Sequence, residues 1–172
     1  EQKTIPILLI EDDREYQVLI QRYLKKGAGE AIAFRTQLAN SLEEGIRLLK
    51  KETFDVILMD LFLPDSLGGI ETIAYVRSEV GDIPVIVLTG LDNEKLAIEA
   101  VAKGAQDYLV KGAIDGRLLV RSIAYAIERS QLLASIRASH EEHFRSEMLE
   151  RKRLDNLKDE FISTVSHEIR TP

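Results

Sequence analysis

The sequence predicts an α/β domain built as a doubly wound parallel sheet, followed by one long helix. Short, continuously apolar runs such as IPILLI (5–10), VILM (56–59) and PVIVL (84–88) read as strands buried on both faces of a parallel sheet. Segments of helical periodicity alternate with them, giving five β-α units in the first 112 residues, the signature of a doubly wound fold. All ten glycines lie at or before Gly116, and no proline stands between Pro84 and Pro172, so residues 117–171 contain no strong helix breaker.

The elements follow in order. The strand at 5–10 runs into Glu11-Asp12-Asp13. From Glu15 onward, Tyr16, Leu19, Ile20, Tyr23 and Leu24 recur at three- and four-residue spacing, a helix that Lys26-Gly27 is expected to stop. Residues 31–39 are a weaker strand, and Asn40 or Ser41 caps a helix reaching Lys51 with Ile46 and Leu49 inward. Residues 54–61 make the third strand, whose apolar run ends abruptly in Asp60 before a Pro-Asp and Gly-Gly loop. Ser66-Leu67-Gly68-Gly69 opens a helix to Val80, and the fourth strand ends in Thr89-Gly90. Asp92 or Asn93 caps a helix to Lys103, which Gly104 stops. Residues 107–110 are a short fifth strand ending at Lys111.

The tail, 117–171, is long enough for a helix of roughly 80 Å at about 1.5 Å per residue. Leu119, Ile123, Ile127, Leu133, Ile136 and their successors to Ile169 keep to one broad stripe without clean heptads. His140, Glu147 and Arg151 fall where apolar seam residues would be wanted, so the expectation is an imperfect two-stranded coiled coil. The alternative is a helix ordered only where it packs on something else.

Bulk properties limit the function classes. Hydrophobic content of 45% and charged content of 30% are ordinary for a soluble globular protein. With no cysteine, neither a disulfide framework nor a Cys-based metal site is possible. No apolar run approaches the roughly 18 residues of a membrane span, and no signal peptide opens the chain, so the expectation is a cytoplasmic chain without membrane contact. The net charge of -6 comes entirely from residues 1–112, which carry 13 basic and 19 acidic residues. That acidity argues against a nucleic-acid surface and suits carboxylates gathered around a cation.

Glu11, Asp12, Asp60, Thr89 and Lys111 all fall at or just past the carboxyl ends of strands one, three, four and five. In a parallel sheet those ends share one edge, where ligands bind. An isolated aspartate there would more often cap the next turn, and the other acidic and basic residues decide against that for Asp60. Clustered carboxylates repel until a hard cation joins them, and Mg²⁺ suits an oxygen-only donor set. A cation, a lysine and a hydroxyl around one carboxylate are what phosphoryl transfer needs, since it is mostly positioning and charge neutralisation.

LLIEDD, ILMDLFLPD, VLTG and YLVK at these spacings resemble the receiver domain of two-component response regulators, from residue 5 to about residue 128. The resemblance implies a flavodoxin-like sheet in order 2-1-3-4-5. It implies Asp60 as phosphoacceptor, and Mg²⁺ held by Glu11, Asp12 and Asp60 with the Phe62 carbonyl, Asp13 being peripheral. Thr89 then matches the switch hydroxyl, Lys111 the phosphate-pairing lysine, and Tyr108 the aromatic that turns inward with the threonine. Gly112 departs from the family, which has a proline there after a cis peptide bond, and this bears on loop shape rather than chemistry. Phe62 and Leu91, two residues past Asp60 and Thr89, flank the approach of a hydrolytic water; both are apolar, so a long-lived phosphoryl form is expected.

In the tail, FISTVSHEIRTP (161–172) places Glu168 directly after His167, where a carboxylate can hold one imidazole nitrogen protonated and leave the other nucleophilic. Pro172 should disturb the turn beyond it. His140 and His143 read as solvated residues, since no third metal ligand is visible. From Lys158 the string resembles the H-box of sensor histidine kinases, which implies His167 as a phosphoacceptor with Glu168 as general base, on the first helix of a dimerising hairpin.

The resulting expectation is a hybrid histidine kinase: receiver at 1–128, signalling coiled-coil helix at 129–157, and the start of the dimerisation and phosphoacceptor domain at 158–172. The second hairpin helix and ATP-binding domain are not in these residues, so ATP would serve only there and the chain is read as a piece of a longer kinase that does not autophosphorylate by itself. Expected partners are a phosphohistidine donor kinase or phosphotransfer protein, a downstream response regulator, and a second copy in a parallel homodimer. Two alternatives stand beside it. One is a stand-alone receiver that dimerises through its tail as a binding module. The other is a Mg²⁺-dependent aspartyl-phosphate phosphohydrolase, disfavoured because the acid/base carboxylate such enzymes want two residues after the nucleophile is here Phe62.

Overall fold

A computed structural model describes residues 2–170, with the backbone only for Leu91 and Glu94. It divides into two units, Glu1–Gln131 and Leu132–Pro172. The first holds five parallel strands, β1 (Lys3–Ile10), β2 (Ile32–Ala39), β3 (Val56–Asp60), β4 (Val85–Thr89) and β5 (Asp107–Val110), in the order β2-β1-β3-β4-β5. The helices are α1 (Arg14–Gly27), α2 (Leu42–Leu49), α3 (Ile70–Val80), α4 (Glu94–Ala102) and α5 (Gly116–Arg170), whose residues from Leu132 on make up the second unit. The flavodoxin-like order expected from the motifs is therefore found. Among the described residues no helix is long and apolar enough to cross a membrane.

Strand alternation sorts each apolar run onto both faces of the sheet. Ile10, Ile57, Met59, Val85 and Val87 pack under α2, α3 and α4 through Leu42, Ile46, Ile73, Val76 and Ala100. Ile7, Leu9, Val56, Leu58, Ile86 and Leu88 pack on the other face under α1 and α5, against Ile20, Leu24, Leu119, Ile123 and Ile127. All residues of β3 and β4 are buried, which is why these two strands show no polar alternation in the sequence.

Local chemistry sets the element ends, in places differently from expectation. Asp13 caps α1, its side chain accepting from the N–H groups of Glu15 and Tyr16, and Ser41 caps α2 by accepting from Glu44. Asp65, in the loop after β3, reinforces the α2 start by accepting from Leu42 N at 2.8 Å and Glu43 N at 2.9 Å. Burial would raise its carboxyl, but the N–H groups of Glu43, Leu42 and Asp65 itself together outweigh this and hold it below the usual aspartate range. Asn93 precedes α4 without a side-chain cap bond, its place being set by a 3₁₀ turn over Leu91–Asn93. The Arg77 guanidinium ties α3 to its surroundings by donating to the carbonyls of Gly81, Ile83 and Gly104. Every described peptide bond is trans, and residues Lys111–Ala113 form a second 3₁₀ turn.

α1 ends at Gly27, as expected, but not through a left-handed capping glycine. Gly27 is the last helical residue of α1, with no positive φ, and its role is close approach. A Cβ on Gly27 would lie 2.1 Å from the carbonyl oxygen of Gly116, and one on Gly116 would lie 2.7 Å from the Tyr23 carbonyl oxygen. The end of α1 and the start of α5 thus touch backbone to backbone.

Gly116→Ala tests this contact. Helix propensity alone would stabilise the variant by up to about 1 kcal/mol, whereas overpacking at the Tyr23 carbonyl should leave a net loss of about 1–3 kcal/mol. A lowered urea midpoint at unchanged slope is the expected result.

Candidate functional site

Three loops at the carboxyl edge of the sheet bring the site together. β1 ends at Ile10, so Glu11 follows at the edge; β3 ends on Asp60; β5 ends at Val110, so Lys111 is next. Glu11 and Asp60 are buried while Asp12 is exposed, and one carboxylate oxygen from each of the three lies within 4.8 Å of the others. Lys111 Nζ stands 2.6 Å from Glu11 Oε2 and 2.6 Å from Asp60 Oδ2. These are short charge-assisted contacts.

Electrostatics follow from this packing. Burial pushes the Glu11 carboxyl above the ordinary range against the pull of Lys111, and the Asp60 charge adds to the rise. For Lys111, burial would lower the ammonium pKa, but the hydrogen bonds to Asp60 and Glu11 outweigh it and the pKa is raised. The lysine is held as a cation. One ammonium against three carboxylates leaves an excess of negative charge within a small volume of hard oxygen donors. Such a donor set fits a small divalent cation such as Mg²⁺.

Backbone groups complete the arrangement. Phe62 N donates to Asp60 Oδ1 at 2.9 Å, and Asp13 N donates to Glu11 Oε1 at 3.1 Å. The Phe62 ring itself is 46% exposed, so it stands at the mouth of the site rather than in the core. Thr89 is fully buried at the end of β4, and its hydroxyl donates to the Gly90 carbonyl at 3.3 Å. Tyr108, on β5, is half-buried against the face that carries α2 to α4. Of the other residues singled out from the sequence, His167 and Glu168 are exposed positions of α5 in the second unit. The expectation for Pro172 lies outside the described residues, as does that for the Leu91 side chain.

Three supporting residues were missed in the sequence. Gln17 is 3% exposed, and its amide nitrogen donates to the Glu11 carbonyl at 2.5 Å and to Asn40 Oδ1 at 2.9 Å, tying the first acidic loop to the turn before α2. Tyr16 places its ring 4.5 Å from Lys111 Nζ and donates its hydroxyl to the Lys111 carbonyl at 3.4 Å. Asp13, read as peripheral, is the α1 cap. Gln17 and Tyr16 carried no signal beyond helical spacing, while Asp13 followed two residues later by Glu15 was a legible cap.

Comparison with known proteins agrees with this geometry. The chain is 29% identical over 131 residues to the transcriptional regulatory protein ZraR of Klebsiella oxytoca, covering 76% of this chain but only 28% of that protein's length. A response regulator receiver domain protein from Clostridium thermocellum superposes with a TM-score of 0.64 at 28% identity, covering 75% of this chain and 98% of that one. A sensor protein from Polaromonas sp. JS666 superposes with a TM-score of 0.62 at 25% identity, covering 73% and 98% respectively. The model of the response regulator receiver domain matches residues 7–124. That span contains all five strands but for the first residues of β1, together with Glu11, Asp12, Asp60, Thr89 and Lys111, and so the chain belongs to the response regulator receiver family.

Proposed function

We propose that Asp60 accepts a phosphoryl group from a phosphohistidine, and that the second unit carries the response to a histidine kinase region beginning near Lys158. The observation that carries the first half is the pair of 2.6 Å contacts from Lys111 Nζ to Glu11 and Asp60 at the end of a buried strand. A carboxylate oxygen of Asp60 attacks phosphorus, the P–N bond to the donor imidazole breaks, and its electron pair stays with the imidazole. The Phe62 N–H and the Lys111 ammonium hold the two Asp60 oxygens, so the nucleophile is oriented before the donor arrives. Glu11, Asp12 and Asp60, with the Phe62 carbonyl, would hold Mg²⁺, which would supply positive charge against the phosphoryl oxygens. Once Asp60 is an acyl phosphate, Lys111 keeps Glu11 and pairs with a phosphoryl oxygen in place of the lost carboxylate charge. The Thr89 hydroxyl leaves the Gly90 carbonyl for the same group, and Tyr108 moves inward behind it.

The second half rests on the sequence FISTVSHEIRTP, with His167 as phosphoacceptor and Glu168 as its base. On this reading residues 1–128 are the receiver, 129–157 a signalling helix and 158–172 the start of the dimerisation domain of a hybrid kinase. The similarity to a sensor protein supports it. The similarity to a transcriptional regulatory protein favours the second reading, a receiver whose tail serves only to pair two copies. In both, the exposed apolar side chains of the second unit, among them Leu133, Ile136, Phe144, Met148 and Phe161, support a dimer through the tail.

Three outcomes test these statements. Incubation with a small acyl-phosphate donor and Mg²⁺ should add one phosphate at Asp60 by mass spectrometry, and Asp60→Asn should add none; stoichiometric label on Asp12 or Asp13 would sink the assignment. Phe62→Asn should shorten the lifetime of the phosphorylated form about 10-fold, equivalent to about 1.4 kcal/mol of barrier, because it places a polar group where a water must approach. Light scattering should give twice the chain mass for the whole chain and a single mass for one ended after Gln131, the last residue of the first unit.

A further inference from the structure

We infer that Tyr16 is a positioning residue for Lys111, holding the ammonium at the site through its ring face independently of either carboxylate. The inference rests on the phosphoacceptor reading for its consequence but not for its geometry. Lysine has a flexible four-carbon stem, and fixing its head costs rotamer entropy. Two of its contacts, to Glu11 and Asp60, involve charges that change when a cation enters or when Asp60 becomes an acyl phosphate. The third contact does not. The Tyr16 ring centroid lies 4.5 Å from Lys111 Nζ, within the range of a cation–π interaction, which strengthens in a partly desolvated place such as this.

The same side chain also reaches the root of the lysine, since its hydroxyl donates to the Lys111 carbonyl across a long 3.4 Å. Burial and the nearby Glu11 carboxylate push the phenol pKa well above its ordinary value, so the hydroxyl stays a neutral donor. Tyr16 is itself fixed from behind. Its backbone N–H donates to the Asp13 side chain that caps α1, and Asp13 N donates to Glu11. A path of short links thus runs from the acidic loop through the first turn of α1 to the lysine on the far side of the site. The ring is the stronger of the two Tyr16 contacts, because a hydrogen bond of this length is weak.

The test uses the whole chain with Tyr16→Phe, which keeps the ring, and Tyr16→Leu, which removes it, each with and without Lys111→Met. With a small acyl-phosphate donor at saturating Mg²⁺, Tyr16→Leu should slow labelling of Asp60 about 10-fold and Tyr16→Phe less than about 2-fold. In the Lys111→Met background Tyr16→Leu should have no further effect. Equal slowing in both backgrounds would mean that Tyr16 acts on the fold and not on the lysine, and would overturn the inference. Upfield ring-current shifts of the Lys111 Cε protons should be present in the unmodified chain and in Tyr16→Phe and absent in Tyr16→Leu. Their absence from the unmodified chain would also overturn it. The spectrum does not depend on phosphorylation, so a chain that shows the shifts but is not labelled at Asp60 refutes the phosphoacceptor reading alone.

Discussion

Two carboxylates are buried at the end of a hydrophobic sheet, and one ammonium lies within 2.6 Å of both. Removing a carboxylate from water is costly unless it is paired and hydrogen-bonded. Glu11 and Asp60 meet that condition through Lys111, and through the N–H groups of Asp13 and Phe62. The rest of the first unit can be understood as what makes this contact possible. It needs three strands that end at one edge, β1, β3 and β5, the last of which returns a lysine about fifty residues after the aspartate it pairs with.

The sheet supplies that edge because it is fully parallel and covered on both faces. Its alternation sends Val56 and Leu58 one way and Ile57 and Met59 the other, so β3 is anchored twice over before it delivers Asp60. The α1–α5 face is drawn tight by glycine: Gly27 and Gly116 bring two backbones closer than any side chain would permit. The helices joined by this contact are the one that follows Glu11 and the one that follows Lys111.

The loop after β3 links the site outward. Phe62 N contacts Asp60, and three residues later Asp65 reinforces the start of α2 by accepting from two backbone N–H groups. Gln17 makes a parallel link from the Glu11 carbonyl to Asn40, whose N–H and side chain both meet Glu44 on α2. A change of charge at Asp60, as proposed above, would act on a loop already tied to a helix end. This is the kind of element through which a local electrostatic event reaches a distant surface.

Much of this was legible in the sequence. Unbroken apolar runs identified β1, β3 and β4 because a strand covered on both faces needs no polar side, whereas the edge strands β2 and β5 carry polar, partly exposed residues and gave a weaker signal; the placement of Glu11, Asp60 and Lys111 at strand ends put them on one edge. The long breaker-free tail foretold the helix from Gly116 to Arg170. What periodicity could not reveal was contact across the fold. Gly27 read only as the end of a helix, which it is, since sequence carries no record of the Gly116 carbonyl that must pass beside it. Asp65 looked like part of a turn, because its partners lie 23 and 22 residues away on α2. Tyr16 and Gln17 occupied ordinary helical positions, and only the approach of Lys111, 95 residues later, and of Asn40 gave them their polar partners. Local sequence determines which residues can be buried and where strands end; which polar groups meet is decided only when the sheet closes and brings its loops within hydrogen-bonding distance.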